Sequence, residues 1–500
     1  MNAPTGLFTF VSTENRLRGA LVNPFHLLGG VAESRRMQKE EFVGRRIHFM
    51  GAGGIGVSAL MELCAARGAV VSGCDCSSGG QVSALKAKGV CVHNGHAAEH
   101  VANCDELVHT AAVDASHPEV RQAEKSGLLI SARMRMLGRI ARGTRSICVT
   151  GAHGKTTTTW LIANTLITAG RDPSVLLGGV VKALSGNVRT GCGEEFVAEV
   201  DESDNRLEEV IPAIPILTNI DNDHLDHYGT VDAIEEAITH FLASVDVSDP
   251  LSVLIGCGDD VRVRRSLENA ALLCRRPIIA YGFSPYCSVR GLNLRREGIG
   301  WRFDALTPSS LWQDIVLPMP GEHNVLNALA AISVAWHLGV SEAHVKESFA
   351  GIERVGRRFE IKGERRGVRV IDDYGHHPTE IDVTLRAARA STQNRLGVLF
   401  QPHRYTRTAQ LMEQFAVSFN AADTVCLMPI YAASEKPIAG VSHVALADAI
   451  RAQGHKNVFA AESRADAVTK LLQWAREGDT LVTQGAGDVT RAADELVSGL

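Results

Sequence analysis

The chain has 500 residues, long for one hydrophobic core, and at ~150 residues per domain it suggests about three. Apolar residues make up 45% and charged residues 21%, with a net charge of −5. That balance excludes a disordered polyelectrolyte and a coiled coil, and it leaves no demand for a nucleic-acid or anionic-membrane partner. Glycine is in excess (47 residues) while aromatic residues are only 5%, a mixture suited to α/β domains whose tight loops approach ligands closely. The eleven cysteines form no CxxC pair, the nearest being Cys74-x-Cys76, so neither a zinc site nor a disulfide framework is expected. Thiols with apolar flanks, such as Cys64, Cys148 and Cys426, point to a reducing, cytoplasmic setting. No apolar run reaches the ~18 residues of a membrane span. Residues 1–44 lack a continuous apolar stretch, do not read as a secretory signal, and are taken as a weakly ordered extension.

From Arg45 onward strand-like and helix-like runs alternate, and the pattern restarts twice. The first block has predicted strands at 46–50, 69–74 and 106–110, with a helix at 57–67. The second has strands at 146–150, 196–200, 214–218 and 251–255, a helix at 156–169, local antiparallel β over 286–317, and helices at 323–338 and 341–350. The third has strands at 368–372, 396–400, 424–428, 457–460 and 480–483, separated by helical runs such as 379–390 and 407–420. Such alternation means parallel sheets covered on both faces, with ligands at the carboxyl ends of the strands.

Two glycine loops stand at those ends. Gly51-Ala52-Gly53-Gly54-Ile55-Gly56 follows a strand, opens a helix and fits GxGxxG; Asp75 lies 19 residues beyond Gly56. Glycines let backbone N–H groups approach a diphosphate, and the acid can take a ribose hydroxyl. NAD, FAD and a sugar nucleotide all satisfy this motif, and a tight structural turn is the plainer alternative. The second loop, Gly151-Ala152-His153-Gly154-Lys155-Thr156-Thr157, is the core of a P-loop, with Val149 where the standard pattern has glycine. Its backbone cradles phosphates, Lys155 contacts the β- and γ-phosphates, and a threonine hydroxyl ligates Mg²⁺.

A P-loop needs a metal-binding acid on another strand. The stretch 196–204 offers Glu199, Asp201, Glu202 and Asp204. Glu199 lies within the strand, where a bare carboxylate is costly to bury and a metal explains it; Glu202 and Asp204 read as an acidic surface loop. Beyond the next strand, Asp221, Asp223, His224 and Asp226 gather ligands suited to a second divalent ion.

Six motifs in order then resemble the Mur ligases over about residues 44–490: 151–159, 221–226, 320–331, 356–360, 372–378 and 401–407. The resemblance implies an α/β protein of three domains: a Rossmann-like N-terminal domain (45–143) for a UDP-sugar, a central P-loop ATPase domain (144–354), and a Rossmann-like C-terminal α/β domain (355–500) that closes over amino acid and ATP. It turns the first loop, with Asp75, from a dinucleotide site into a UDP site. It implies ATP-driven joining of an amino acid to the carboxylate of UDP-N-acetylmuramate through an acyl phosphate, with two Mg²⁺ ions. The form Asp-Asp-Tyr-Gly-His-His-Pro and the long threonine run favour L-alanine over a tripeptide. By carry-over, Lys155, Thr156 and Glu199 hold triphosphate and metal, and His224 the second metal. His323 and Asn327 meet adenine, Arg358 and Asp373 reach ATP from the third domain, and His403 and Arg407 lie near the amino acid. Ala152 replaces the family's Thr or Ser. The implied partners are small molecules, the implied assembly a monomer or homodimer. An NAD-dependent oxidoreductase, which leaves the third block without a task, and a P-loop switch, which needs no amino acid, are the rival readings.

Overall fold

The structure is a computed structural model that describes residues 41–500 except 111, 112, 115, 205, 223–227 and 434. Residues 1–40 of the expected extension lie outside the described residues. Its last four residues join the first unit: Phe42 is fully buried, the Arg67 and Arg139 guanidiniums lie 5.6 and 5.3 Å from its ring centroid, and Glu41 pairs with Arg139 at 2.7 Å.

The described residues form three sheets. The first has the order β3-β2-β1-β4-β5, all parallel: β1 (Arg46–Met50), β2 (Val70–Asp75), β3 (Cys91–Asn94), β4 (Glu106–His109) and β5 (Leu129–Ala132). The second has ten strands: β6 (Arg145–Thr150), β7 (Ser174–Val181), β8 (Gly186–Arg189), β9 (Glu195–Glu199), β10 (Ile214–Leu217), β11 (Leu254–Cys257), β12 (Ile278–Gly282), β13 (Val289–Glu297), β14 (Gly300–Leu306) and β15 (Leu311–Leu317). Their order is β15-β14-β13-β12-β11-β10-β6-β9-β7-β8. The antiparallel run predicted at 286–317 is β13–β15, and it extends this sheet rather than standing apart. The third sheet runs β16-β17-β21-β18-β19-β20: β16 (Glu360–Arg365), β17 (Val368–Asp373), β18 (Leu396–Phe400), β19 (Thr424–Leu427), β20 (Val458–Ala460) and β21 (Thr480–Gln484). Only β16 is antiparallel in it.

Sequence reading misses β3, β5, β7, β8, β12 and β16. The sequences of β3 (Cys-Val-His-Asn) and β5 (Leu-Ile-Ser-Ala) are four residues long and carry too little apolar signal, and β7 is broken by Gly178–Gly179. The run at 407–420 is two short helices, Tyr405–Gln410 and Met412–Val417.

One apolar core runs continuously from Phe42 to Val355 and joins the first two units. The third sheet keeps its own cores on its two faces, one around Phe400 and Phe415 and one around Leu471 and Leu496. Side chains of the third unit reach the second across that boundary through hydrogen bonds such as His377–Asn222 and Thr379–Asp221. Among the described residues no helix is long and apolar enough to cross a membrane.

Candidate active site

The phosphate loop leaves β6, whose last five residues are buried. At β6 the order turns outward to β10 on one side and β9 on the other, the kind of crevice where open α/β sheets bind ligands. Gly151 (φ 124°) and Gly154 (φ 81°) adopt backbone that side chains disfavour. A Cβ on Gly154 would lie 2.6 Å from Asn327 Oδ1. Asn219 locks the turn: its Oδ1 accepts from His153 N (2.8 Å) and its Nδ2 donates to His153 O (3.0 Å). Gly154→Ala is therefore expected to cost about 1–2 kcal/mol in backbone strain alone. That cost should appear as a lower melting temperature, readable by calorimetry. An unchanged melting temperature would contradict this geometry.

Lys155 opens the helix Lys155–Thr168. Its Nζ donates to Gly151 O (2.8 Å) and to both oxygens of Glu202 (2.8 and 2.9 Å). Burial alone would depress this amine, but Glu202, Asp201 and Glu199 hold its pKa above the ordinary lysine value, so it stays a cation. This corrects the surface reading of Glu202, which is 2% exposed and serves as the lysine's counter-ion. Asp204 is committed too: it accepts from Arg133 Nε at 2.8 Å, tying the first unit to the second.

Glu199 ends β9, beside Val149 of β6, and accepts from Gly178 N at 2.7 Å. A Cβ on Gly178 would sit 2.6 Å from that carboxylate, and one on Gly179 would sit 3.3 Å from Thr156 Cγ2. The two glycines of β7 thus flank both groups read as metal donors. His224, Asp223 and Asp226 lie outside the described residues.

A cavity of about 620 Å³ opens between the second and third units. His323 and Asn327, on one face of the helix Glu322–His337, line it together with Arg358 and Asp373 from the third unit, as do His153 and Glu380. Burial lowers His323 to about 4, which keeps it neutral at pH 7. Asn327 accepts from Thr158 Oγ1 (3.1 Å) and donates to Asn324 Oδ1 (3.1 Å). Arg358 lies 3.7 Å from Glu380 Oε1 and 5.2 Å from the Tyr374 ring centroid. Burial would lower the arginine, but Glu380 and Asp373 raise it. The Asp373 carboxylate accepts from Phe359 N (2.8 Å), Gly375 N (2.8 Å) and Thr384 Oγ1 (3.2 Å). It lines the cavity, and its Oδ2 holds the loop that carries Arg358 while its Oδ1 serves Gly375 and Thr384.

In the seam beside this cavity His153 and Asp221 make contacts that motif reading did not assign, with Thr379 and Glu380, which it passed over. His153 Nε2 meets Asp221 Oδ2 at 2.8 Å, and Nδ1 lies 3.4 Å from Glu380 Oε1. Thr379 Oγ1 donates to the same Asp221 oxygen (2.8 Å), and His377 Nε2 lies 3.1 Å from Asn222 O. Burial opposes the charged imidazole, but the two carboxylates raise His153 to about 9. Glu380 also accepts from His376 N (2.9 Å) and His377 N (3.2 Å), closing the start of the helix Pro378–Arg389. His-Pro-x-Glu before an apolar run is a capping pattern and could have flagged Glu380. His403 approaches the seam through His376, whose ring centroid is 5.6 Å away, and stacks on Tyr431 at 5.5 Å. Arg407 sits on the helix Tyr405–Gln410; neither it nor His403 lines the cavity.

In the first unit, Gly51 N and Ala52 N donate to Cys74 O (2.9 and 3.0 Å), and Gly54 caps the helix Ile55–Ala66 without a side-chain acceptor. Ile55 O accepts from Asn187 Nδ2 of the second unit (3.0 Å). Asp75, read from sequence as a ribose ligand, accepts from Gly53 N (2.7 Å) and Ser77 N (2.7 Å). It shapes the loop. A Cβ on Gly56 would come within 2.4 Å of Arg133 Nη1, so a guanidinium missed in the sequence stands over this loop.

Three family models match in succession: "Mur ligase family, catalytic domain" over 46–145, "Mur ligase middle domain" over 149–335 and "Mur ligase, glutamate ligase domain" over 357–487. The chain belongs to the Mur ligase family. A UDP-N-acetylmuramate–L-alanine ligase of Desulfatibacillum aliphaticivorans is 40% identical over 453 residues, 90% of this chain and 98% of that one. One from Geobacter sp. strain M21 is 41% identical over 453 residues, 90% and 97% of the two chains. Among solved structures, the UDP-N-acetylmuramate–alanine ligase of Thermotoga maritima superposes with a TM-score of 0.75 at 27% identity, covering 91% of this chain and 98% of that one. A murein peptide ligase of Psychrobacter arcticus shares the fold at 23% identity, with a TM-score of 0.68 and coverage of 91% and 98%.

Proposed function

We propose that the chain joins L-alanine to the carboxylate of UDP-N-acetylmuramate, converting ATP to ADP and phosphate, as a step of peptidoglycan precursor synthesis. The observation that carries this is one cavity bordered by the phosphate loop of the second unit and by Arg358 of the third. The names of relatives 40% identical along nearly the whole chain support the choice of substrates. The regions 45–143, 144–354 and 355–500 are assigned to sugar nucleotide, ATP and closure over the amino acid.

A carboxylate is a poor electrophile. Its oxygen attacks the γ-phosphorus, the bond to ADP breaks, and an acyl phosphate with a good leaving group results. Lys155, kept charged by Glu202, neutralises the crowded anions at the loop, and Arg358 adds a second cation from the third unit. The alanine nitrogen then attacks the acyl carbon, the carbon–oxygen bond to phosphate breaks, and the amine proton leaves. Thr156 and Glu199 are hard oxygen donors beside the loop, the set that Mg²⁺ favours, and His224 is assigned to a second ion. Bound Mg²⁺ supplies charge neutralisation and orientation of the phosphates. His323 and Asn327 position adenine; His403 and Arg407 are assigned to the amino-acid side. The same reading makes the chain a cytoplasmic enzyme of small molecules, monomeric or homodimeric, with no nucleic-acid or membrane partner.

Asp75→Ala is expected to weaken UDP-N-acetylmuramate binding ~10–100-fold, since two hydrogen bonds to a charged group shape the loop. ATP affinity should be unchanged, and calorimetry with each ligand separates the two. The function itself is tested by phosphate release with UDP-N-acetylmuramate, ATP and Mg²⁺, offering L-alanine, glycine, L-serine or a tripeptide. L-Alanine should be the best acceptor; turnover with the tripeptide alone would overturn the reading.

A further inference from the structure

Away from the phosphate loop, the first sheet buries a second cluster of chemically active side chains. His48 on β1, Cys74 on β2, His100 in the turn Ala98–Val101 and Glu119 in the helix Pro118–Lys125 bring one ligand atom each within 4.8 Å of one another. His48, Cys74 and Glu119 are all 0% exposed. Cys74 Sγ lies 3.2 Å from Glu119 Oε2, and His100 Nδ1 lies 2.7 Å from Glu119 Oε1. The His48 ring is anchored at Nδ1 by Ser72 Oγ (2.9 Å), while its buried Nε2 has no hydrogen-bond partner. That is the arrangement of a ligating histidine, whose other nitrogen is held by an outer group. Ala97 N orients Glu119 Oε1 in the same way (3.0 Å).

We propose that this cluster is a metal site, in which Cys74, His48, His100 and Glu119 hold a zinc-class divalent cation. Thiolate, two imidazoles and a carboxylate form a four-ligand set typical of Zn²⁺, and the sulfur discriminates against Mg²⁺. On binding, the Cys74 thiol proton passes to solvent and the sulfur–metal bond replaces its hydrogen bond to Glu119. The absence of CxxC spacing does not count against it, because the four ligands come from four separate elements. The site is independent of the ligase reading, although it lies one backbone bond beneath the first glycine loop, whose amides rest on Cys74 O.

The test titrates metal-free full-length protein with Co²⁺, a coloured stand-in for Zn²⁺, in saturating Mg²⁺ so that hard-oxygen sites are filled. One equivalent should produce a thiolate-to-cobalt charge-transfer band that Zn²⁺ abolishes. Cys74→Ser should lose the band, while Cys76→Ser, at an exposed neighbour, should keep it. His100→Ala, at a side chain 14% exposed, should weaken binding at least ~10-fold, and it decides the question if Cys74→Ser fails to fold. A purely hydrogen-bonded network predicts no band in the wild type. That result, a band surviving Cys74→Ser, or unchanged affinity in His100→Ala would overturn the proposal.

Discussion

Lys155→Ala should reduce phosphate release by at least ~10²–10³-fold, the usual loss when one preorganised charge is taken from a reaction centre. The same change leaves Glu202 buried without its cation, and breaking such a pair typically costs ~3–5 kcal/mol. Loss of activity alone is therefore ambiguous between chemistry and folding. The double variant Lys155→Ala/Glu202→Gln resolves it, because the glutamine has no charge to strand. Its melting temperature should recover most of the lost stability while turnover stays absent. Recovery of turnover along with stability would show that Lys155 acts as scaffold and not on the phosphates.

The second large effect is on closure. His153 is raised from 6.5 to about 9 by Asp221 and Glu380 against the opposing cost of burial. A raised imidazole stabilises the closed seam fully below its unfolded value near 6.5. That contribution fades as pH climbs through about 9, and amounts to about 3 kcal/mol at most. Asp221 and Glu380 are held below ordinary carboxylate values, so their contribution is present above roughly pH 4 and is lost only in stronger acid. The grip of the third unit on the second should thus be firmest from about pH 5 to 6.5 and loosen toward pH 9. Small-angle scattering should show the radius of gyration rising over that interval in the wild type. Asp221→Asn should flatten the profile; identical profiles in both proteins would contradict this role for the seam.

Much of this architecture was legible beforehand, and for physical reasons. Apolar strands followed by glycine loops mark β1 and β6 because a buried parallel strand must be continuous and a phosphate loop must be small. Positive φ at Gly51, Gly151 and Gly154 explains why glycine stands at those positions. His323 and Asn327 share a face through simple helical spacing. What escaped depends on which distant chain segment meets a given side chain. Glu202 looked like a surface acid because nothing nearby in sequence announces that Lys155 turns toward it. The bond from Gly53 N to Asp75 was not legible either, because it is a fact of loop closure. Glu380, Asp221 and Arg133 act across unit boundaries, and spacing within one motif carries no information about that.

The central claim is that the substrate carboxylate is activated as an acyl phosphate before the amine attacks. The direct test supplies UDP-N-acetylmuramate with ¹⁸O in its carboxylate, together with ATP, Mg²⁺ and L-alanine, and weighs the released phosphate by mass spectrometry. Phosphate carrying one ¹⁸O atom, formed only when L-alanine is present and in step with the amide product, is the expected result. Unlabelled phosphate accompanying amide formation would contradict it.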